Sequence, residues 1–300
     1  MERDNKPRVS IGLPVYNGED YLSEAIDSIL NQTYEDFELF ISDNASIDDT
    51  QKICEKYAEL DNRIFYYRLH KNLGAAKNYN ILLDYASGEY FKWSAHDDFL
   101  APEFLERCVE ALDRDDSVVL AYPRSNLCDP DGKPFGKYGD GLNLVSQIPH
   151  QRFKEFLKNP GLCHAVFGLI RLSALRNTAL IGDYPRSDRN LIGELSLYGK
   201  IFEVPDYLFS RRFHPNLSSH PSQTEYDLAV WFDPNKKGGM VFPRWRRLAE
   251  YIKAIIRAPI GFSEKIICIT SLGQFIFKPE KWVGLLNDII IASKQRFTRN

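Results

Sequence analysis

The nine residues Tyr90–Asp98, YFKWSAHDD, decide the fold that this sequence predicts. The run from Tyr90 to Ala95 is apolar enough for a strand that is buried on both faces of a sheet. Two adjacent carboxylates, Asp97 and Asp98, follow its carboxyl end, where open α/β sheets bind ligands. Because successive side chains of an extended chain face opposite ways, only one of the pair can point into a pocket. Carboxylates here suit a divalent cation that also binds phosphates, and a helix N-cap at Asp98 is the structural alternative.

Strands and helices alternate on both sides of this central strand. The other strands predicted in the first 122 residues are Val9–Val15, Phe37–Ser42, Arg63–Leu69 and Ser117–Tyr122. Helices with one apolar face separate them, and among these are Ala75–Ala86 and Pro102–Leu112. This alternation predicts βαβ units and therefore a parallel, doubly wound sheet flanked by helices.

Beyond residue 128 the pattern is less regular. A tight turn, Asp129–Gly132, opens a Gly-rich polar segment to Ser146 that predicts a surface loop. The elements predicted after it are the helices His150–Lys158, Ser173–Leu180 and Arg186–Leu197 and the strands Ala165–Arg171 and Ile201–Pro205.

Length, composition and cysteine spacing restrict the class of protein. Three hundred residues, 44% of them hydrophobic, suffice for one large α/β domain or a domain with a tail. The five cysteines are far apart and form no CxxC or Cys/His pattern, which argues against structural zinc and a disulfide framework. No apolar signal-peptide run or membrane-spanning stretch occurs. We therefore expect free thiols in a cytoplasmic protein.

The charge is distributed unevenly along the chain. The net charge is −3, but residues 236–300 contain thirteen Lys and Arg against four Asp and Glu, a net of +9. The first 235 residues therefore carry −12, and such segregation indicates two different partners. From Phe242 onward, Trp, Arg, Lys and aliphatic residues recur at near-helical spacing. Residues 221–300 are predicted to be a basic, amphipathic helical region.

That region has two interpretations. Its helices, over 242–300, could lie on a membrane surface and attract anionic lipid, or they could pack on the preceding domain with Lys and Arg outward. We favour the membrane surface, at the inner face of the cell membrane, because exposed-looking aromatic residues accompany the positive charge. No nucleic-acid partner is expected.

Polar residues at the ends of successive strands form the candidate site. They are Tyr16, Asp43, Lys77 and the pair Asp97 and Asp98. An aromatic ring, an acceptor for a base N–H, a cation and a metal-binding carboxylate together suit a nucleoside diphosphate. The structural alternatives are packing for Tyr16, a turn or cap for Asp43 and a solvated helix face for Lys77. Neither a Gly-x-Gly-x-x-Gly nor a Walker-type loop follows the first strand, which disfavours a dinucleotide fold.

From Val9 to about His214 the sequence resembles the family 2 glycosyltransferases, which have the GT-A fold. The segments that carry the likeness are VSIGLPVYNGEDYLSEAIDSILNQTYEDFELFISDNASIDDT, NLGAAKNYN and GEYFKWSAHDDFLAPEFLE. Lys77 stands where the family usually has Arg, and Ala95 stands at the first Asp of its Asp-x-Asp metal motif. The resemblance implies a catalytic domain over 1–220, with a nucleotide-binding half to about 125 and an acceptor half from about 126. It also implies a set of donor-binding residues, namely Pro14, Tyr16, Asp43, Lys77, Asp97, Asp98 and His214.

A second chemical centre follows from the same resemblance. The family has a Glu-Asp pair eleven residues before a Gly, and SDRNLIGELSLYGKIFEVPD matches it with Asp188, Gly199 and Ser187 in place of Glu. The likeness implies that Asp188 is the general base, with a helix N-cap as its structural alternative. Asp97 and His214 are the implied metal ligands, and a purely structural histidine is the alternative for His214.

These features predict an inverting glycosyltransferase that uses Mn²⁺ or Mg²⁺. Its donor would be a UDP- or dTDP-linked sugar, because a carboxylate accepts the N3–H of uracil or thymine, and its acceptor a glycan or a lipid-linked acceptor. A nucleotidyltransferase is one alternative, although PVYNGEDY lacks the Gly-rich, basic loop that it needs. A non-catalytic nucleotide-sugar-binding or membrane scaffold protein is another, and Ala95 and Ser187 keep it open.

Overall fold

The computed structural model describes residues 6–215, 217, 224–276, 282–286 and 288, which form an α/β structure around a nine-stranded sheet. The strands are β1 Val9–Val15, β2 Phe37–Asp43, β3 Ile64–Arg68, β4 Tyr90–Trp93, β5 Phe99–Leu100, β6 Val118–Cys128, β7 Pro134–Tyr138, β8 Leu169–Arg171 and β9 Lys200–Arg212. The α-helices are α1 Leu22–Leu30, α2 Thr50–Leu60, α3 Ala75–Tyr85, α4 Phe104–Arg114, α5 Pro149–Lys158, α6 Leu172–Leu175, α7 Ser187–Tyr198, α8 Glu225–Phe232, α9 Pro243–Arg257 and α10 Phe262–Ile276. Short 3₁₀ helices span His164–Phe167 and Pro234–Lys236.

The sheet is parallel at its centre and changes direction further along. Its order is β3-β2-β1-β4-β8-β6-β9-β5, with β7 beside β6. Strands β1 to β4 are parallel, β8 runs antiparallel to both β4 and β6, and β6 and β9 are parallel again. After β1 the chain adds β2 and β3 on one side and β4 on the other. The strand order therefore reverses between β1 and β4, and such a switch point opens a crevice at the carboxyl ends of the strands.

Helices cover both faces of the sheet, as the alternation of elements predicts. Apolar residues of α1, α2 and α4 form one core with β1 and β2, including Leu22, Cys54 and Leu105. On the opposite face, α3, α5 and α7 pack over β4 and β6. Strands β1, β2 and β4 are buried along their whole length, which accounts for their near-continuous apolar sequences.

The prediction of a surface loop from residue 132 to residue 146 is wrong in part. Residues Pro134–Tyr138 form β7 and pair with β6 as a hairpin. Asp140 is buried and accepts hydrogen bonds from the amides of Cys163 and Ala165 at 3.0 and 2.8 Å. The Asp140 carboxylate thus attaches this segment to the backbone at residues 163 and 165. A contact so distant in the sequence cannot be predicted from the local composition of the segment.

The C-terminal helices pack on the preceding domain. Ile255 of α9 and Leu272 of α10 are buried in the same core as α5 and α7. The packing interpretation therefore holds for these inner faces. Their outer faces carry exposed apolar side chains, including Ile256, Phe262 and Ile266. Among the described residues, no helix is long and apolar enough to cross a membrane.

Candidate active site

A cavity of about 530 Å³ lies at the carboxyl ends of β1 and β4, at the switch point of the sheet. Side chains from three separate strand ends meet in it. They include Pro14, Tyr16, His96, Asp97, Arg211 and His214. Helix α8 contributes Trp231 to the lining. The fold therefore brings together most of the donor-binding residues that the sequence predicts.

The turn after β1 forms one wall. Asn17 adopts a left-handed backbone with φ of 51°, and its side chain accepts a hydrogen bond from the amide of Ile47 at 3.0 Å. The Gly18 amide donates to Thr50 Oγ1 at 2.8 Å. A Cβ atom on Gly18 would lie 2.7 Å from the His96 ring, so glycine is required where this turn meets the end of β4.

Asp43 does not line the cavity, contrary to its predicted role as the acceptor for the base. Its carboxylate is fully buried and accepts from the Ser46 amide at 2.8 Å and the Tyr66 hydroxyl at 2.9 Å. Arg68 Nε lies 3.3 Å from the same carboxylate. These protein groups occupy both carboxylate oxygens, which gives Asp43 the structural role that the sequence left as the alternative. The next residue, Asn44, lines the cavity instead.

Asn44 is the polar group that sequence reasoning missed. Its Oδ1 accepts from the Leu73 amide at 2.8 Å, and its Nδ2 donates to Asn72 Oδ1 at 3.0 Å. This arrangement fixes the amide plane and leaves one Nδ2 hydrogen and one lone pair for a ligand. Its sequence signal is only its place one residue after β2.

Lys77 also lies away from the place predicted for it, as a cation at the donor diphosphate. It is exposed on α3 and does not line the cavity. A cation that does line the cavity is Arg211, from the basic segment at the end of β9. Its signal in the sequence is the pair of adjacent arginines, Arg211 and Arg212, shortly before His214.

Asp97 and His214 form the buried polar centre of the cavity. Asp97 Oδ2 lies 3.0 Å from His214 Nε2, and both residues line the cavity wall. Burial would raise the pKa of Asp97, but the hydrogen bond with His214 and the charges of His96 and Arg211 outweigh it. They hold the pKa well below the usual range of a carboxyl group. Asp97 is therefore an ionised carboxylate at neutral pH.

Asp98 does not line the cavity, so only one of the two adjacent carboxylates does, as the sequence predicts. It accepts from Arg211 Nη1 at 2.6 Å and from the Arg212 amide at 3.0 Å. Burial and the charge of Asp97 raise the pKa of Asp98, whereas Arg211 lowers it. Asp98 does not cap a helix, because α4 begins only at Phe104. Its position indicates that it holds Arg211 at the cavity rather than binding a ligand itself.

The pair Asp97 and His214 fits a divalent cation. Neighbouring ligands of an octahedral ion at about 2.1 Å lie about 3.0 Å apart, which matches the separation of these two atoms. His214 Nε2 is the nitrogen next to Asp97, whereas His214 Nδ1 is buried without a hydrogen-bond partner among the described residues and is free to contact a bound polar group. The described residues contain no cluster of three or more potential ligands. The other ligands would therefore be donor phosphates and water.

Asp188 lies in the first turn of α7. Its Oδ1 accepts from the Arg189 amide at 2.9 Å, while Arg186, with φ of 63°, occupies the N-cap position. Burial raises the pKa of Asp188, and the Arg189 amide and the charges of Arg189 and Arg186 oppose this shift. A carboxyl group that is easier to protonate than usual suits general base catalysis. Asp188 is not a lining residue of the cavity.

Asp188 nevertheless acts electrostatically on the cavity through Tyr79. Burial raises the pKa of Tyr79, and the charges of Asp97, Asp98 and Asp188 contribute to the same shift. Tyr79 lines the cavity, as Asp97 does. The two chemical centres that the sequence predicts are therefore electrostatic neighbours of one tyrosine.

Comparisons with known proteins show the family of the chain. The family model for glycosyl transferase family 2 matches residues 10–177. An uncharacterized glycosyltransferase of Haemophilus influenzae is 30% identical over 221 residues, which are 72% of this chain and 68% of the relative. The putative teichuronic acid biosynthesis glycosyltransferase TuaG of Bacillus subtilis is 28% identical over 246 residues, or 82% of this chain and 79% of TuaG.

A solved structure shares the fold. The crystal structure of S. aureus TarS 1-349 in complex with UDP-GlcNAc superposes with a TM-score of 0.65 over 96% of this chain and 81% of that chain, at 18% identity. The architecture is thus the GT-A fold of glycosyltransferases, as the sequence predicts. The chain belongs to glycosyltransferase family 2.

Proposed function

We propose that this protein transfers a sugar from a uridine-diphosphate sugar to an acceptor hydroxyl, with inversion at the anomeric carbon. The observation that carries the proposal is the meeting of Asp97, His214 and Arg211 in one cavity at the switch point of the sheet. A carboxylate, an imidazole and a guanidinium are suited to a metal-bound diphosphate.

The base of the donor would lie against the turn after β1. Tyr16 is 41% exposed at the cavity and offers an aromatic face, and Pro14 lies beside it. The Asn44 amide offers a donor and an acceptor to the edge of a pyrimidine, in place of the carboxylate expected at Asp43. The UDP-GlcNAc complex of TarS supports uracil as the base, and thymine presents the same N–H.

Asp97 and His214 would hold Mn²⁺ or Mg²⁺. Such an ion would neutralise the diphosphate as it leaves, and Arg211 would add a second positive charge near the same oxygens. Ala95, at the place of the family's first metal-motif Asp, contributes no carboxylate. The charge on the donor side of the ion would therefore come from the phosphates.

Asp188 would be the general base. It takes the proton from the acceptor hydroxyl while the oxygen forms its bond to the anomeric carbon. The bond from that carbon to the diphosphate oxygen breaks on the opposite face, and its electron pair leaves with the diphosphate. One base is sufficient for this single displacement, because no covalent sugar–enzyme intermediate forms.

The acceptor would be a glycan or a lipid-linked acceptor at the cytoplasmic face of the cell membrane. The similarity to TuaG, whose name places it in teichuronic acid biosynthesis, supports an acceptor of surface-polysaccharide type. The exposed apolar side chains of α9 and α10, in the net basic C-terminal region, support peripheral binding to anionic lipid.

A panel of nucleotide sugars tests the function. Thermal unfolding should be measured with UDP-, dTDP- and GDP-linked sugars, with Mn²⁺ and with EDTA, and hydrolysis of the stabilising donor should follow by NMR. A ligand at a hundred times its Kd adds about 2.7 kcal/mol to stability. We expect stabilisation by a UDP-sugar in Mn²⁺ and slow hydrolysis that is lost in Asp188→Ala. Binding without turnover would instead indicate a non-catalytic binding protein.

A further inference from the structure

We infer that a second cavity, between α7, α9 and α10, binds the acceptor through a phosphate group attached to an aliphatic chain. This inference rests on the proposed function, because it names the substrate class that Asp188 would deprotonate. The cavity has a volume of about 380 Å³ and is separate from the donor cavity.

The walls of this acceptor cavity are of two kinds. Four guanidinium groups line one part, from Arg186, Arg189, Arg244 and Arg247. Aliphatic and aromatic side chains line the rest, including Leu248, Leu272, Phe275, Ile276 and Val283. Clustered arginines are typical of phosphate recognition, whereas an apolar wall beside them suits a hydrocarbon chain.

The positive charge is only partly neutralised by protein carboxylates. Arg244 pairs with Asp288 at 2.5 Å, whereas Arg186 and Arg247 share Glu225 at the longer distances of 3.7 and 3.6 Å. Asp188 is a third carboxylate near the cluster, so three carboxylates accompany four arginines. The cluster therefore keeps an excess of positive charge for an anion.

Arg247 is the clearest sign of a missing partner. Its side chain is largely buried, and its closest hydrogen bond, to the Pro185 carbonyl, is 3.5 Å long. Arg189 donates to the Gly161 carbonyl at 2.9 Å. A guanidinium has five N–H donors, so a buried one with such weak contacts is under-satisfied and suits an incoming phosphate.

The position of the cavity connects it to the chemistry. Arg186 and Arg189 flank Asp188 in the first turn of α7. Tyr251 lines the acceptor cavity, and burial and the charge of Asp188 are among the causes that raise its pKa, as they are for Tyr79 in the donor cavity. Because its neighbours Arg186 and Arg189 line the acceptor cavity, Asp188 lies next to that cavity, where the base for an acceptor hydroxyl would stand.

The mouth of the cavity favours a lipid over a purely polar anion. Val283, which lines it, is 58% exposed, and Leu286 and Trp282 nearby are also exposed. An aliphatic chain leaving the arginines would follow these side chains to the outer apolar face of α10. A phosphate-bearing polysaccharide would leave this apolar path unused.

Binding of farnesyl diphosphate, an isoprenoid diphosphate, tests the inference in the absence of donor. Calorimetry should compare it with inorganic pyrophosphate, which lacks the chain, and farnesol, which lacks the phosphates. We expect farnesyl diphosphate to bind at least about tenfold more tightly than either. Arg247→Gln and Arg186→Gln should each weaken it at least about tenfold, and Val283→Ser should weaken it without affecting pyrophosphate.

Arg246→Gln is the matched control, because Arg246 directly precedes Arg247 but contacts Asp183 and Glu250 instead. It should bind the probe as the wild type does. Equal binding of farnesyl diphosphate and pyrophosphate, or no effect of Arg247→Gln, would overturn the inference. UDP-sugar binding should be measured on the same samples. If the protein does not bind a UDP-sugar, the proposed function is wrong. If it binds a UDP-sugar but not farnesyl diphosphate, only the acceptor-cavity inference is wrong.

Discussion

At the scale of single residues, Asp97 carries the metal hypothesis. Asp97→Asn removes the ionised carboxylate next to His214, so nucleotide binding should lose its dependence on Mn²⁺ or Mg²⁺ while the fold persists. Nucleotide Kd should be measured by calorimetry in Mn²⁺ and in EDTA. Asp98→Asn is the control, because Asp98 faces Arg211 and Arg212, and it should retain the metal dependence. Equal wild-type affinity in Mn²⁺ and in EDTA would refute the assignment.

Asp43 and Asn44 should separate stability from donor recognition. Asp43→Ala leaves the Ser46 amide and the Tyr66 hydroxyl without their buried acceptor, so it should lower the free energy of unfolding by about 3 kcal/mol. Asn44→Ala should instead weaken UDP binding about tenfold. Urea unfolding and UDP calorimetry on both variants measure the two effects. A loss of UDP affinity confined to Asp43→Ala would restore the original assignment.

The sequence predicts that only one of Asp97 and Asp98 lines the cavity, and only Asp97 does. The physical reason is different, because β4 ends at Trp93 and both residues lie beyond it, outside a regular strand. At the end of β2, two neighbouring residues differ in their contacts. Asp43 is fully buried against protein groups, whereas the next residue, Asn44, lines the cavity. Lys77 lies on a helix, where a small rotation decides whether a long side chain reaches a cavity. Tertiary packing fixes that rotation.

At the scale of elements, β4 contains a buried lysine. Lys92 Nζ donates to the carbonyls of Phe167 at 2.7 Å and Trp93 at 3.1 Å, and burial lowers the pKa of Lys92 to about 7. Between about pH 7 and the ordinary value of 10.5, the unfolded chain binds a proton that the folded chain does not. The free energy of unfolding should therefore rise with pH across this window, by a few kcal/mol.

Lys92→Met should abolish this rise. Urea unfolding at pH 7 and pH 9 gives the comparison, with Lys56→Met, an exposed lysine on α2, as the control. An equal rise in wild type and Lys92→Met would show that other groups cause it.

Element boundaries follow the sequence where the apolar pattern is local. Strand β1 spans the residues predicted for it, Val9–Val15. Strand β9 was predicted to end at Pro205 but continues to Arg212. The proline is tolerated because the pairing of β9 with β6 shifts register there, at a bulge that needs no hydrogen bond from residue 205. Only the partner strand reveals such a bulge.

At the scale of the whole molecule, the basic C-terminal region should bind anionic membranes. Ile266 and Ile269 are half-exposed on one side of α10, so Ile266→Glu with Ile269→Glu should weaken vesicle binding at least about tenfold. Co-sedimentation with vesicles of phosphatidylcholine, with and without phosphatidylglycerol, measures this. Leu60→Glu, an exposed position on α2, should have no effect. Vesicle binding that depends neither on phosphatidylglycerol nor on the two glutamate substitutions would contradict the membrane proposal.

In the proposed reaction, Asp188 is the one base of a single displacement. Time-resolved NMR of donor turnover tests it, because the same spectra give the rate and the first-formed anomer. Asp188→Asn should lower kcat by about 10²–10⁴ with donor Kd nearly unchanged. Because the base acts deprotonated and its pKa is raised, wild-type kcat should fall with decreasing pH above the usual carboxyl range. The account predicts a product anomer opposite to that of the donor. Retained configuration, or full activity in Asp188→Asn, would contradict it.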